Sequence, residues 1–194
     1  MNQKILRPAF RQLKGRPDLV GVEIGVYEGI NAKHCLNKLD IKYVFLIDPY
    51  MQYEKYAPKR LGSKINLERA ERAAHTILNG YGHKVRWIKK KSAEAIGAFT
   101  DDNLDFVYID GNHAYDFVGE DILLYYPKLK VGGLLAGHDY DIKSVRKAVD
   151  EFGKINGLKV YAEKTNEGPV LLNKNKWIAE KHDWWIWKID DAIT

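Results

Sequence analysis

The 194-residue chain has little of several residue types and patterns that mark common protein classes. It contains one cysteine, Cys35, so a disulfide cannot form within the chain. No apolar run is long enough for a signal peptide or a membrane-spanning helix. The sequence also shows no internal repeat and no low-complexity tract. We therefore expect a cytoplasmic protein in a reducing compartment, with Cys35 buried and inert and with no membrane contact.

The chain also lacks a strong charge of either sign. Lys and Arg number 31 against 26 Asp and Glu, a net charge of +5. Apart from the run Lys89–Lys91, the basic residues are dispersed along the sequence. Proteins that bind nucleic acids usually concentrate basic residues on one surface. The composition thus permits an anionic partner but disfavours a nucleic acid.

Short apolar runs alternate with helical patterns along most of the chain. The predicted strands are Leu19–Ile24, Tyr43–Ile47, Lys84–Ile88, Asp105–Ile109, Val131–Gly137 and Leu158–Ala162. Such alternation predicts an α/β fold with a Rossmann-like, doubly wound, mostly parallel sheet. The tryptophan-rich end, which includes Trp184–Ile189, has no helix between its strand-like pieces and predicts antiparallel edge strands. We expect a single domain over residues 1–194, with residues 1–18 as an N-terminal helical extension on its outside.

The densest set of candidate catalytic residues lies between Leu104 and Tyr140. This stretch indicates a buried strand and polar turn, an amphipathic helix, and a second buried strand. A helix between two such strands makes a right-handed crossover, so both strands run in the same direction and end at one edge. Neighbouring strands lie ~4.8 Å apart, which allows side chains at both ends to reach one cation. The polar residues at these two strand ends are Asp110, His113, His138 and Asp139.

A glycine turn follows the first predicted strand. Its spacing, Glu23-x-Gly25-x-x-x-Gly29, differs from the G-x-G-x-x-G of dinucleotide binders. Gly25 suits a tight turn and close backbone approach, and a helix N-terminus after Gly29 offers free N–H groups. Asp48, at the end of the second strand, is spaced to bind a ribose diol. A turn without a ligand and a solvated strand-end Asp48 remain the alternatives.

Four motifs together resemble the class I S-adenosylmethionine-dependent methyltransferases. They are V-E-I-G-V-Y-E-G, F-L-I-D, F-V-Y-I-D-G-N-H-A-Y and G-G-L-L-A-G-H-D-Y, which cover residues 19–140. The pattern is most similar to the small-molecule O-methyltransferase branch that includes the macrolide-sugar methyltransferases. The resemblance implies that S-adenosylmethionine is the cofactor and that the acceptor is a sugar or another hydroxyl compound.

The resemblance also implies roles for individual residues. The residues implied to line the cofactor site are Glu23, Gly25, Gly29, Asp48, Ser92, Ala93 and Asp110. In that family the first turn lies around the methionine part, the residue matched by Asp48 binds the ribose, and those matched by Ser92 and Ala93 border the adenine.

The same resemblance implies a metal and a base. Asp110 and Asp139 match the positions that hold a divalent ion in metal-dependent members, and His138 stands where many relatives have Asp. His113 matches the general base of the macrolide-sugar relatives. An oxygen-rich ligand set without cysteine favours Mg²⁺, with Mn²⁺ or Fe²⁺ left open by His138. A cation there could lower the pKa of an acceptor hydroxyl, and His113 could take its proton.

Several alternatives stay open at this point. The acceptor could instead be RNA or protein, or the chain could bind a nucleoside without catalysis. Asp139 could cap the following helix, and His113 or His138 could be purely structural. Asp116, Glu120 and Asp121 are expected on a solvated helix face. Only residues 1–18, 51–64 and 165–183 remain to cover an acceptor, so the pocket is either open or completed by a second subunit of a homo-oligomer.

Overall fold

A computed structural model describes residues 6–51, 66–165, 171–173, 176–177 and 182–190. Its strands are β1 (Leu19–Ile24), β2 (Ile41–Ile47), β3 (Val85–Ile88), β4 (Leu104–Ile109), β5 (Leu129–Gly137), β6 (Tyr161–Lys164), β7 (Leu171–Asn173), β8 (Lys176–Trp177) and β9 (His182–Trp187). Its α-helices are α1 (Pro8–Arg11), α2 (Ile30–Lys38), α3 (Leu67–Leu78), α4 (Ser92–Ala95), α5 (Tyr115–Tyr125) and α6 (Lys143–Ile155).

Seven strands form one sheet in the order β3-β2-β1-β4-β5-β9-β6. The first five of these pair in parallel, and β9 runs antiparallel to both β5 and β6. The predicted fold class is confirmed. The antiparallel strand β9 is not the edge strand itself but lies next to it, between β5 and the edge strand β6. The chain steps outward from β1 in one direction and from β4 in the other. The strand order therefore reverses between β1 and β4, where open α/β sheets bind ligands.

Helices cover both faces of the sheet and create two apolar layers. One layer packs α1, α2 and α3 against side chains such as Phe106 and Leu134. The other packs α5 and α6 against side chains such as Val107 and Leu135. Because both faces are covered, all six residues of β4 are buried, which explains its continuous apolar sequence.

The N-terminal segment differs from its prediction. The helix spans only Pro8–Arg11, and the apolar side chains around it are buried rather than external. Phe10 stacks on Tyr108 of β4, with ring centroids 4.7 Å apart and planes at 23°. The segment is thus part of the core, and it lies against the strand whose end carries Asp110.

One smaller prediction, on Cys35, is confirmed by burial. Cys35 is buried, and burial raises the pKa of its thiol well above the ordinary range, so it stays protonated. Trp184 and Trp185 of β9 are buried in the sheet. Within the described parts of the chain, no helix has the length and hydropathy needed to cross a membrane.

Candidate functional site

The strand ends predicted to carry the chemistry are neighbours. Ile109 of β4 lies opposite Ile24 of β1 on one side and Gly137 of β5 on the other. Asp110 directly follows Ile109, and His138 follows Gly137. The two strands run parallel side by side, as predicted, and these polar residues meet at their carboxyl ends, next to the point where the strand order reverses.

Two carboxylates and two imidazoles form a compact cluster there. His113 Nε2 lies 3.1 Å from Asp139 Oδ2, and His138 Nδ1 lies 3.3 Å from the same oxygen. Asp110 Oδ1 is 3.7 Å from His138 Nδ1 and 3.9 Å from His113 Nε2. One ligand atom each from Asp110, His113 and Asp139 lies within 4.8 Å of the others. Such a set suits a divalent cation that prefers oxygen ligands with some nitrogen.

Local backbone geometry aims these side chains at one another. Asp139 has a left-handed backbone (φ +56°), which turns the chain sharply after β5. The Ser144 hydroxyl donates to the His113 carbonyl at 2.6 Å, which fixes the β4–α5 turn to α6. The helix-cap alternative for Asp139 is wrong, because Ile142 is the N-cap residue of α6.

The charge state of Asp110 suits a cation ligand. Burial by itself would raise the pKa of Asp110, but His138, His113 and Arg7 outweigh that effect and lower it. The carboxylate is therefore ionised at neutral pH. Arg7 was not among the predicted site residues. Its Nη1 lies 3.4 Å from Asp110 Oδ2 and donates to the Tyr108 hydroxyl at 2.7 Å.

The glycine turn lies directly beside this cluster. Gly25 has φ +85°, and a Cβ at this position would lie 2.2 Å from the Asp110 carbonyl oxygen. Glycine is thus required both for the backbone conformation and for the approach of β1 to β4. Asp48 holds the turn from the other side. Its Oδ2 accepts the N–H groups of Val26 (2.9 Å) and Tyr27 (3.0 Å).

Glu23 is buried beneath the turn. It is 1% exposed, and its Oε1 accepts from Asn31 Nδ2 at 3.2 Å. Its Oε2 has no hydrogen-bond partner among the described residues. Burial raises the pKa of Glu23 to about 8, although the Asn31 hydrogen bond works against that rise. A buried carboxyl oxygen without a partner is a hydrogen-bonding group that a bound ligand could satisfy.

Ser92 and Ala93 lie at the start of α4, after β3. Ser92 is the first helical residue rather than the cap, because Lys91 occupies the N-cap position. The Tyr125 hydroxyl donates to the Ser92 carbonyl at 2.9 Å. Asp121 hydrogen-bonds Ser92 and is 4% exposed, so its predicted place on a solvated face is wrong. Asp116 and Glu120 are exposed as expected.

The predicted residues thus fall into two adjoining groups along one edge of the sheet. Glu23, Gly25 and Asp48 surround the β1 turn, and the carboxylate–histidine cluster follows at β4 and β5. Of the segments considered as covers for an acceptor, 52–64 and 166–170 lie outside the described residues, as does part of 171–183.

The strand order, with its reversal at a glycine turn, defines a Rossmann-like fold of the methyltransferase type. Residues 22–140 match the family described as a methyltransferase domain, so the chain belongs to that family. The predicted enzyme class is confirmed at this level.

The chain is also similar to a known protein and to solved structures. An uncharacterized protein of Acanthamoeba polyphaga mimivirus is 32% identical over 130 residues, which span 64% of this chain and 53% of the relative. The chain therefore spans about half the length of that relative. A precorrin-6y C5,15-methyltransferase from Geobacter metallireducens superposes with a TM-score of 0.65 at 18% identity, covering 93% of this chain and 85% of that one. The O-methyltransferase TomG from Streptomyces achromogenes, solved with S-adenosylmethionine, gives 0.62 at 11% identity, covering 93% and 78%. At these identities the two structures establish the shared fold.

Proposed function

We propose that the chain is an S-adenosylmethionine-dependent methyltransferase that methylates a hydroxyl group of a small molecule or saccharide with the help of a divalent cation. The observation that carries this proposal is the meeting of Asp110, His113 and Asp139 beside the Gly25 turn. A turn of the kind that binds a cofactor and a cluster of the kind that binds a cation thus adjoin at one point of the sheet.

The residues around the β1 turn fit a nucleoside cofactor with a polar tail. The Gly25 turn brings the ends of β1 and β4 close together, and Glu23 offers a buried carboxyl oxygen without a partner among the described residues. Asp48 would face the ribose, although its oxygens also support the backbone of the turn. Ser92 and Ala93, anchored by α5, would border the adenine. S-adenosylmethionine supplies the activated methyl group, and the protein aligns it with the acceptor.

Asp110 and Asp139 are the proposed ligands of the cation. Both are held at strand ends by buried neighbours, and Asp110 is ionised at neutral pH. When bound, a divalent cation such as Mg²⁺ or Mn²⁺ would orient an acceptor hydroxyl and lower its pKa. His138, whose side chain is 1% exposed, is the proposed third ligand or a support for Asp139.

His113 is the proposed general base. Its side chain is 17% exposed, so it is more open to an acceptor than His138 is. The contact with Asp139 fixes the imidazole and would stabilise its protonated form after proton transfer. The same contact also makes His113 the competing candidate for third ligand, and this competition is testable.

Calorimetric titration with S-adenosylmethionine and S-adenosylhomocysteine tests the cofactor assignment. We expect affinity in the micromolar range, about −8 kcal/mol. Asp48→Asn should weaken binding, whereas Asp40→Asn, a control substitution of an exposed residue before β2, should not. The absence of heat at millimolar ligand would overturn the proposal. A screen of hydroxylated metabolites with labelled cofactor, with and without Mg²⁺, would then identify the acceptor and test the need for the cation.

A further inference from the structure

Arg7 of the N-terminal segment reaches the carboxylate cluster from a distant part of the sequence. Its Nη1 donates to the Tyr108 hydroxyl at 2.7 Å and lies 3.4 Å from Asp110 Oδ2. The same nitrogen lies 3.8 Å from Asp183 Oδ1 of β9. The Arg7 side chain is only 14% exposed. One guanidinium therefore links two strands, β4 and β9, to the N-terminal segment at the edge where the site lies.

The partners of Arg7 are themselves held in place. Asp183 is fully buried, and its Oδ1 accepts from the Tyr108 hydroxyl at 2.9 Å. Its Oδ2 accepts the backbone N–H of Ala9 at 3.2 Å, which ties β9 to α1. The Tyr108 ring is stacked on Phe10. The guanidinium of Arg7 is thus presented to Asp110 through Nη1 from a rigid frame, with little side-chain entropy left to lose.

The two oxygens of Asp110 face different neighbours. Oδ2 faces Arg7, whereas Oδ1 is the oxygen nearest to His113 and His138. A carboxylate held in this way offers Oδ1 to the centre of the cluster and keeps Oδ2 turned away from it. Outer partners that orient a ligand in this manner commonly change metal affinity 10- to 100-fold when they are removed.

We propose that Arg7 is a positioning residue that orients Asp110 for binding of the divalent cation and thereby makes the metal centre depend on the docked N-terminal segment. This inference rests on the proposed function, because it takes Asp110 and Asp139 as the cation ligands. It adds a residue of the N-terminal segment, and its frame of Tyr108 and Asp183, to the site.

Charge and geometry predict opposite effects of removing Arg7. A cationic side chain near the centre repels a divalent cation, so loss of the charge alone should strengthen binding. Loss of orientation should weaken it. Lysine separates these effects, because Arg7→Lys keeps the charge but removes the guanidinium whose Nη1 contacts both Tyr108 and Asp110. Weaker binding in this variant therefore reports geometry.

The test measures Mn²⁺ binding to the full chain by electron paramagnetic resonance of the free ion, without cofactor or acceptor. We expect Arg7→Lys to weaken binding by about 10- to 100-fold. Arg11→Lys is the matched control, since Arg11 lies one turn further along and pairs instead with Glu163 on β6. It should bind Mn²⁺ as the wild type does. Thermal unfolding of both variants checks that the fold is kept. Arg7→Lys binding within twofold of the wild type would overturn the inference.

Tyr108→Phe provides a second variant in case Arg7→Lys fails to fold. It keeps the ring stacked on Phe10 but removes the hydroxyl between Arg7 and Asp183. We expect about threefold to tenfold weaker Mn²⁺ binding, and unchanged affinity would overturn the inference. If the wild type binds S-adenosylmethionine but no Mn²⁺, the metal part of the proposed function fails and the role of Arg7 fails with it. If the wild type binds Mn²⁺ and the Arg7→Lys variant binds it equally well, only the proposed role of Arg7 is wrong.

Discussion

The two halves of the candidate site are held together by different kinds of contact. At the ends of β1 and β2, the contacts are mostly with backbone: Gly25 lies against the Asp110 carbonyl, and Asp48 accepts backbone N–H groups. At the ends of β4 and β5, the contacts join side chains, and every member of the cluster is ionisable. We call these the backbone half and the side-chain half.

This difference separates two kinds of sensitivity. The backbone half should respond to substitutions that change space or backbone conformation, because its geometry leaves no room for added atoms. The side-chain half should respond to changes of charge, proton affinity and reach. Substitutions in each half test this division.

In the side-chain half, His113→Ala should lower methyl transfer by about 10²–10⁴-fold, the usual range for loss of a general base. It should also change how the rate depends on pH, because the variant has no imidazole to accept the proton. The measurement is turnover against pH with the acceptor found by the screen.

Binding of cofactor and Mn²⁺ to this variant supplies the control. Both should stay close to wild type if His113 is the base. A fall in Mn²⁺ affinity would make His113 a metal ligand instead, and a wild-type pH profile would end the base assignment.

Glu23 is buried in the backbone half, and its proton should make stability depend on pH. The folded state raises the pKa of Glu23 from 4.5 to about 8, chiefly because the group is buried. Between these values the folded protein keeps a proton that the unfolded chain has lost. Wild-type stability should therefore fall as the pH rises from about 4.5 to about 8, by up to about 1.4 kcal/mol per pH unit.

Glu23→Gln cannot lose a proton, so this part of the pH dependence should disappear. Urea unfolding at pH 5 and pH 8 measures the effect, and we expect the variant to gain about 2–4 kcal/mol relative to wild type between the two. Glu120→Gln, at an exposed position of α5, should run parallel to wild type. A Glu23→Gln curve that also runs parallel would mean that Glu23 is ionised in the folded protein.

In the backbone half, Gly25→Ala should destabilise the fold by about 2–3 kcal/mol and weaken cofactor binding. Gly15→Ala is a closely matched control, because Gly15 has nearly the same φ (+81° against +85°) but nothing within 4 Å of the place that a Cβ would take. Its free energy of unfolding should fall by only about 1 kcal/mol, because alanine disfavours the positive φ but meets no other atom there. Equal losses in the two variants would show that contact with Asp110 is not the cause.

The same division explains which features the sequence could reveal. The sequence predicts strand β1 to the residue, because a strand buried on both faces leaves a continuous apolar run. It predicts strand β6 three residues early, since three of the four residues of β6 are exposed and carry little pattern. The backbone half is local, with Glu23 and Asp48 on adjoining strands. The glycines of the β1 turn therefore reveal the backbone half in the sequence.

Two site residues were missed for different reasons. Arg7 lies 103 residues from Asp110, and no local pattern links an arginine before a short helix to a distant strand end. Asp121 did carry a signal. The buried residues of α5 are Val118, Asp121, Ile122 and Tyr125, at spacings of three, four and seven. This is the periodicity of a helix face turned to the core, so the position of Asp121 indicated burial despite its charge.

The smallest effect is expected for Lys90→Glu, which lies in neither half. Lys90 is exposed after the end of β3, and substitutions at such sites usually change stability by less than about 0.5 kcal/mol. If the acceptor is a small molecule, turnover should stay within about twofold of wild type, as for the control Lys154→Glu at the exposed end of α6. An RNA acceptor predicts otherwise, because each phosphate contact adds to the dependence of affinity on salt. A steep salt dependence with structured RNA, reduced by Lys90→Glu but not by Lys154→Glu, would move the site from small hydroxyl compounds to RNA.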